Sequence, residues 1–279
     1  MVHTLREVKF NGRTLRLNSE KFDNVDEFYK VNSRREKLRQ NWSKEKAENY
    51  DFCKTNNYEE AADLLYHGYT EALENYKNAL KVRTNFQKKL TFKNDVVGFQ
   101  PIVPNAIMGL PNSMINSYYT QVKTPVIDIY YDPTFSGSTS TDTILETGRK
   151  IINVILNLES IGYKVNLYIG YVAIDDDLPN EIDVFSLKIK ESNRPLDINR
   201  ISFPLAHPAM LRVFGFEWQA KVPDGHERSG YGKPFDCVIS NRNDRNFIIQ
   251  AWAGSNARYF IGSELIKYNE DDIMKMLIE

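Results

Sequence analysis

The sequence predicts an α/β protein: a mainly parallel sheet with helices on both faces, preceded by an N-terminal β-hairpin and a helical segment. Three observations carry this expectation. TPVIDIYYD is a nearly unbroken apolar run that ends on Asp132, as in a strand covered on both faces. After it, Ile144, Leu145, Gly148, Ile151, Ile152, Ile155 and Leu158 recur at three- and four-residue steps, the spacing of a helix with one apolar face. YKVNLYIGYVAI then alternates through Val165, Leu167 and Ile169. Strand, crossover helix and strand make a parallel pair with a right-handed connection.

The remaining elements follow in order. EVKF and RTLRL flank Asn11-Gly12, a dipeptide that supplies the positive φ angles of a type I′ hairpin turn. Residues 25–49 are charged and helix-prone, with basic residues around Trp42; a nucleic-acid-facing helix and a solvated helix face are the two readings, and the interleaved acids favour the solvated face. Asn57 and Glu60 have the spacing of a capping box before a helix that carries Ala61, Leu64 and Leu65. Gly68 separates it from a second helix with Ala72, Leu73, Tyr76 and Leu80, so the pair reads as a helical hairpin. Residues 95–117 hold three prolines and read as an irregular connector. The chain therefore divides into an N-terminal segment, 1–94, a connector, 95–120, and a core domain, 121–279. In the core, VFSLKIK suits an antiparallel edge strand, and the acidic loop before it, with Asp175, Asp176, Asp177, Glu181 and Asp183, suits a solvated turn. Pro208 suits the first turn of a helix through Phe214. FDCVIS reads as a strand, RNFIIQAWA as a strand or a buried helix, and EDDIMKMLIE as a closing helix.

Composition excludes several classes. The formal net charge is −1, from 36 basic and 37 acidic residues. Such a chain has no global field to draw in nucleic acid or an anionic membrane. No apolar run approaches the roughly 20 residues of a membrane helix, and the N-terminus lacks the apolar core of a signal peptide. The expected location is the cytoplasm. Cys53 and Cys237 are too few and too far apart for a disulfide framework or a zinc knuckle.

Candidate site residues lie where the first core strand ends. Asp132, Thr134 and Ser136 offer a carboxylate and two hydroxyls at the carboxyl edge of a sheet, where ligands of open α/β sheets bind. Hard oxygen ligands suit magnesium. The competing account is a hydroxyl-rich turn that caps the following helix. His207 and Arg212, on the predicted helix at Pro208, form a candidate anion contact, with helix capping and ion pairing as the structural account.

The D-x-T-x-S pattern, with the helix, parallel strand and antiparallel strand after it, resembles the metal-site loop of von Willebrand factor A domains, a Rossmann-like fold. That resemblance implies a metal completed by a later Thr and Asp. FDCVIS ends instead in Ser240 and Asn241. More broadly, NNYEEAADLLYHGYTEA, VVGFQPIVPNAIMGLPNSMIN with Gly109, Pro111 and Met114, and LAHPAMLRVFGFEW resemble an uncharacterised family of phage and prophage proteins over about residues 55–220. The resemblance implies a phage or prophage origin, in the host cytoplasm or the virion, and no particular activity. The function expected is a non-enzymatic protein-interaction module in virion assembly or host contact, able to oligomerise, with no cofactor or with Mg2+ at the Asp132 loop. The alternative is a metal-dependent enzyme acting on a phosphorylated or nucleic-acid substrate.

Overall fold

The computed structural model describes residues 1–34, 49–69, 90–119, 125–174, 178, 180–222, 233–237 and 239–278. Strands β1 (Val2–Phe10) and β2 (Arg13–Phe22) form the antiparallel hairpin. Its turn holds Asn11 at φ 47° and Gly12 at φ 76°, the left-handed pair that Asn-Gly adopts at least cost. Helices α1 (Val25–Arg34), α2 (Tyr50–Cys53) and α3 (Tyr58–His67) follow. One half of the capping box forms at α3: the Glu60 N–H donates to the Asn57 side chain at 2.7 Å, while the Glu60 carboxylate reaches past the cap residue. Glu60 in turn accepts from the Asn56 N–H at 2.6 Å. The predicted helix of Ala72, Leu73, Tyr76 and Leu80, and the segment around Trp42, lie outside the described residues.

Next come β3 (Leu90–Asp95), β4 (Gln100–Pro101), the short helix α4 (Val103–Ile107) and β5 (Met114–Tyr119). They make a satellite antiparallel sheet of order β3-β5-β4, where an irregular connector was expected. The expected boundary after residue 94 falls inside β3. Gly98 permits the tight return, because a Cβ there would lie 2.1 Å from the Ile115 carbonyl oxygen.

The core then runs β6 (Val126–Asp132), α5 (Thr141–Ser160), β7 (Lys164–Ile174) and β8 (Glu181–Lys190). Helix α6 (Ile198–Ala206) leads to a π-helical turn (Met210–Gly215) that continues into α7 (Phe216–Lys221). Helix α8 (Arg242–Ala253), β9 (Ala257–Ile261), α9 (Gly262–Leu265) and α10 (Glu270–Ile278) complete the order.

The main sheet has six strands in the order β1-β2-β8-β7-β6-β9. The expected β6–α5–β7 parallel unit is present, and β9 adds in parallel on the other side of β6. The sheet as a whole is mixed, not mainly parallel: β8 runs antiparallel to β7, and β1 antiparallel to β2. Strand β8 is also not an edge. The hairpin strand β2 pairs with it in parallel, from Arg16 with Glu181 to Phe22 with Leu187. The N-terminal hairpin thus builds two of the strands of the main sheet. The described residues of FDCVIS form no strand; Phe235–Cys237 is a single 3-10 turn. RNFIIQAWA falls within α8.

Helices cover both faces. On one, Ile129, Leu167, Ile169, Phe185 and Leu187 meet Ile151, Ile152, Ile155 and Leu158 of α5 and the buried Met210–Trp218 stretch. On the other, Leu17, Tyr130, Val172 and Val184 meet Ile248, Ile249 and Trp252 of α8. Burial of each such side chain contributes about 1.5–3 kcal/mol. Helices α5 and α6 touch through Gly148, where a Cβ would lie 2.7 Å from both Ala206 Cβ and the Leu205 carbonyl oxygen.

Candidate functional site

Asp132 ends β6 at the carboxyl edge of the parallel strands, as expected. Its carboxylate has no solvent exposure, and neither has Thr134. The Thr134 N–H donates to Asp132 Oδ1 at 3.1 Å, and the Thr134 hydroxyl donates to the same oxygen. The Tyr259 hydroxyl, from β9, donates to Oδ2. Burial pushes the Asp132 carboxyl up to about 7, against the opposing pull of the Thr134 and Tyr259 hydrogen bonds. Both oxygens therefore face protein donors.

Ser136 is not brought to this carboxylate. It is exposed, and its hydroxyl lies 3.0 Å from that of Ser138. The α5 N-terminus is capped by Ser140, whose Oγ accepts from the Thr143 N–H at 3.2 Å. Asp132 and Thr134 lock the end of β6 to the middle of β9, and the rest of the serine-rich loop starts a helix. Among the described residues, no group of three or more His, Cys, Asp or Glu side chains is placed to hold a metal ion.

His207 and Arg212 are both buried, and Arg212 reaches this loop. His207 stacks on Phe203 with ring centroids 5.0 Å apart and meets Tyr69 edge-on. The Ala209 N–H donates to its Nδ1 at 3.2 Å. Burial pulls the imidazole down to about 4, only partly opposed by a hydrogen bond to the Lys54 backbone, so the ring is neutral at pH 7. Arg212 donates to the carbonyl oxygens of Phe52 at 2.5 Å and Ser136 at 3.3 Å, and its guanidinium covers the Phe52 ring. Burial lowers its pKa as well. The pair splices α2, the serine loop and the π-helical turn. Arg212 gives these donors to protein carbonyls.

A buried polar layer under α7 escaped the sequence reading. Glu217 accepts from the Tyr58 hydroxyl at 2.6 Å and from Lys221 at 2.5 Å, and Lys221 also donates to the Asn32 carbonyl oxygen at 2.7 Å. The Trp218 N–H donates to Glu20 at 2.7 Å, the Tyr171 hydroxyl to Gln219 at 2.5 Å, and Asn18 to Asp183 at 2.9 Å. Asp183, read as part of a solvated acidic loop, is in fact buried inside β8. The one available signal is that β2 carries Asn18 and Glu20 on the side where Phe22 is apolar, a period-2 pattern that marks polar residues facing inward.

A cleft of about 280 Å³ opens where β2 and β8 end, lined in part by Asp23, Lys188, Lys190, Glu191, Arg194 and Arg200. Its charges are largely internal: Lys190 pairs with Glu159 at 2.6 Å, Arg194 with Glu191 at 3.2 Å, and Lys188 with Asp23 at 3.6 Å.

The most unusual surface belongs to the satellite sheet. None of residues 90–118 is buried. Leu90, Phe92, Val96, Val97, Phe99, and Val103 are all exposed, and Ile107 is 81% exposed. Residues 90–119 contain two charged side chains, Lys93 and Asp95, which pair with each other at 2.7 Å.

Fold and surface together define a mixed α/β protein with a hydrogen-bonded polar layer in its interior and an exposed apolar satellite sheet. The chain belongs to the family described as Domain of unknown function (DUF7192), whose model matches residues 7–270. No curated protein and no solved structure matches it. Among the described residues, no helix is long and apolar enough to cross a membrane.

Proposed function

We propose that this chain is a non-enzymatic protein-interaction module whose contact surface is the satellite sheet. The observation that carries this is the run of residues 90–118, in which no side chain is buried while large apolar ones are exposed. Ordering a segment costs roughly 1–2 kcal/mol per residue, and a small sheet without a buried face cannot repay that. Contiguous exposed apolar surface of this kind marks an interaction site. The internal engagement of Asp132 and Arg212 points the same way: a metal-dependent enzyme would need those groups turned outward to a ligand.

The setting proposed is a phage or prophage, in virion assembly or contact with a host component, on the strength of the motif resemblance over about residues 55–220. The β6–α5–β7 unit followed by antiparallel β8 supports an A-domain-like core, one that makes its contacts without a bridging metal. The test places a benzophenone side chain at Phe99, on the satellite sheet, or at the exposed Lys267 as a control, and irradiates the producing cell. Protein adducts at 99 and not at 267 are expected. Equal yields at both positions, or none at 99, would overturn the proposal.

A further inference from the structure

We infer that the outer edge of β1 pairs antiparallel with the β1 edge of a second copy of this chain, about a two-fold axis at Leu5. This surface is distinct from the satellite sheet. The first ground is the edge itself. Strand β1 ends the order of the main sheet, and among the described residues no strand lies beyond it. Its nine residues include no proline and no glycine, and its register with β2 runs unbroken from Val2 to Phe10. Sheet edges are ordinarily blunted by proline, bulges or short length, because their free N–H and C=O groups accept another strand. The Asn11-Gly12 turn fixes which groups are free here. Phe10 and Arg13 flank a two-residue turn and exchange both backbone hydrogen bonds, so the even-numbered residues of β1 bond to β2. His3, Leu5, Glu7 and Lys9 turn theirs outward. An extended chain satisfies such a row.

The second ground selects that chain. An axis at Leu5 sets Leu5 against Leu5, Thr4 against Arg6, His3 against Glu7 and Val2 against Val8. An imidazole faces a carboxylate, apolar faces apolar, and no like charges are opposed. The neighbouring registers are worse. An axis at Arg6 opposes two guanidinium groups, one at Glu7 opposes two carboxylates, and one at Thr4 brings fewer outward-turned residues into step. The third ground is that this register covers apolar side chains that the single chain exposes. Leu5 is 54% exposed and Val2 57%. Val2 meets the other copy's Val8, on the sheet face where Phe10 lies 6.1 Å from the half-exposed Phe247 ring of α8.

Sedimentation of the full chain over a hundredfold concentration range tests the association, and cysteine cross-linking tests the register. The wild type is expected to dimerise. Leu5→Lys opposes two ammonium groups at the axis and should raise the midpoint concentration of association by about tenfold or more. Leu5→Pro deletes an outward-turned N–H and none that bonds to β2, so it should weaken the dimer likewise and keep the circular dichroism spectrum. In a Cys237→Ser background, which removes the exposed native thiol, Leu5→Cys should link two copies on air oxidation. The Cα atoms of a hydrogen-bonded antiparallel pair lie about 5.5 Å apart, within disulfide reach. Lys9→Cys should not link, because the two copies of position 9 lie roughly 27 Å apart at about 3.4 Å per residue. A wild type that stays monomeric, a dimer that neither Leu5 variant weakens, or linkage at position 9 and not at 5 overturns the inference. The satellite-sheet reading stands or falls separately, on cross-linking through position 99.

Discussion

The Tyr259 hydroxyl donates to Asp132 Oδ2, joining the middle of strand β9 to the end of parallel strand β6 through a carboxylate held out of water. The contact spans 127 residues of sequence. It explains why an acid at a strand end, where a ligand would be expected, acts here as a fastener.

Asp132 should make the protein less stable as pH rises. Its carboxyl is raised from 3.8 to about 7 in the folded chain. Between these values the folded state keeps a proton that the unfolded state has lost. Stability from this group is therefore lost progressively from pH 4 to 7 and is level above that, a span of about 4 kcal/mol. Asp132→Asn removes this dependence. Urea unfolding at pH 5 and pH 8 should show the variant losing less relative to wild type at pH 8.

His207 should work in the opposite direction. Its folded pKa lies near 4, below the ordinary 6.5. Below 6.5 the unfolded chain takes up a proton that the folded chain refuses. The contribution is complete above pH 6.5 and falls away toward pH 4, by about 3 kcal/mol. The two windows overlap with opposite signs, so a shallow pH profile is expected for wild type between 4 and 6.5. His207→Asn keeps an acceptor for the Ala209 N–H and should leave a protein that gains stability on acidification. Denaturant midpoints across that range check this.

Glu217→Gln should destabilise by roughly 3–5 kcal/mol, because it leaves the buried Lys221 ammonium without a counter-charge. Gln retains an acceptor for Tyr58, so the loss isolates the charge. Adding Lys221→Met to the variant should recover most of it, since an apolar side chain carries no desolvation cost. Chemical denaturation of the single and double variants separates these outcomes.

Magnesium should leave the melting temperature unchanged. A ligand specific to the folded state at a hundredfold excess over its dissociation constant would stabilise by about 2.7 kcal/mol. Both Asp132 oxygens already accept protein hydrogen bonds, and Ser136 lies outside. A clear rise in wild type that Asp132→Ala abolishes would reinstate the metal site.

Gly148→Val should cost about 1–3 kcal/mol by overpacking. The added atoms collide with Ala206 and the Leu205 carbonyl oxygen, and a backbone group cannot rotate aside. The thermal midpoint should drop while the secondary structure is kept.

What the sequence by itself determined is local. Asn11-Gly12 dictates its turn because few other pairs tolerate two positive φ angles. The α5 stripe through Ile151, Ile152 and Ile155 dictates a helix because its period matches one face, and Asn57 with Glu60 dictates a helix start. ARYFI was missed as β9, and FDCVIS was misread as a strand, because apolar runs of five or six residues carry too few periods to separate strand from turn. Only the tertiary structure decided the rest. Strand β2 pairs with β8 across 165 residues in the Asn18–Asp183 contact, and nothing in either strand's own pattern names its neighbour. Once β2 is inserted, β8 is interior, Asp183 and Glu20 are buried, and Asn18 donates to Asp183 while Trp218 donates to Glu20. The fate of Asp132 was settled the same way. A carboxylate at a strand end can hold a ligand or bind its own protein, and the arrival of Tyr259 on a distant parallel strand fills the oxygen that a ligand would have used.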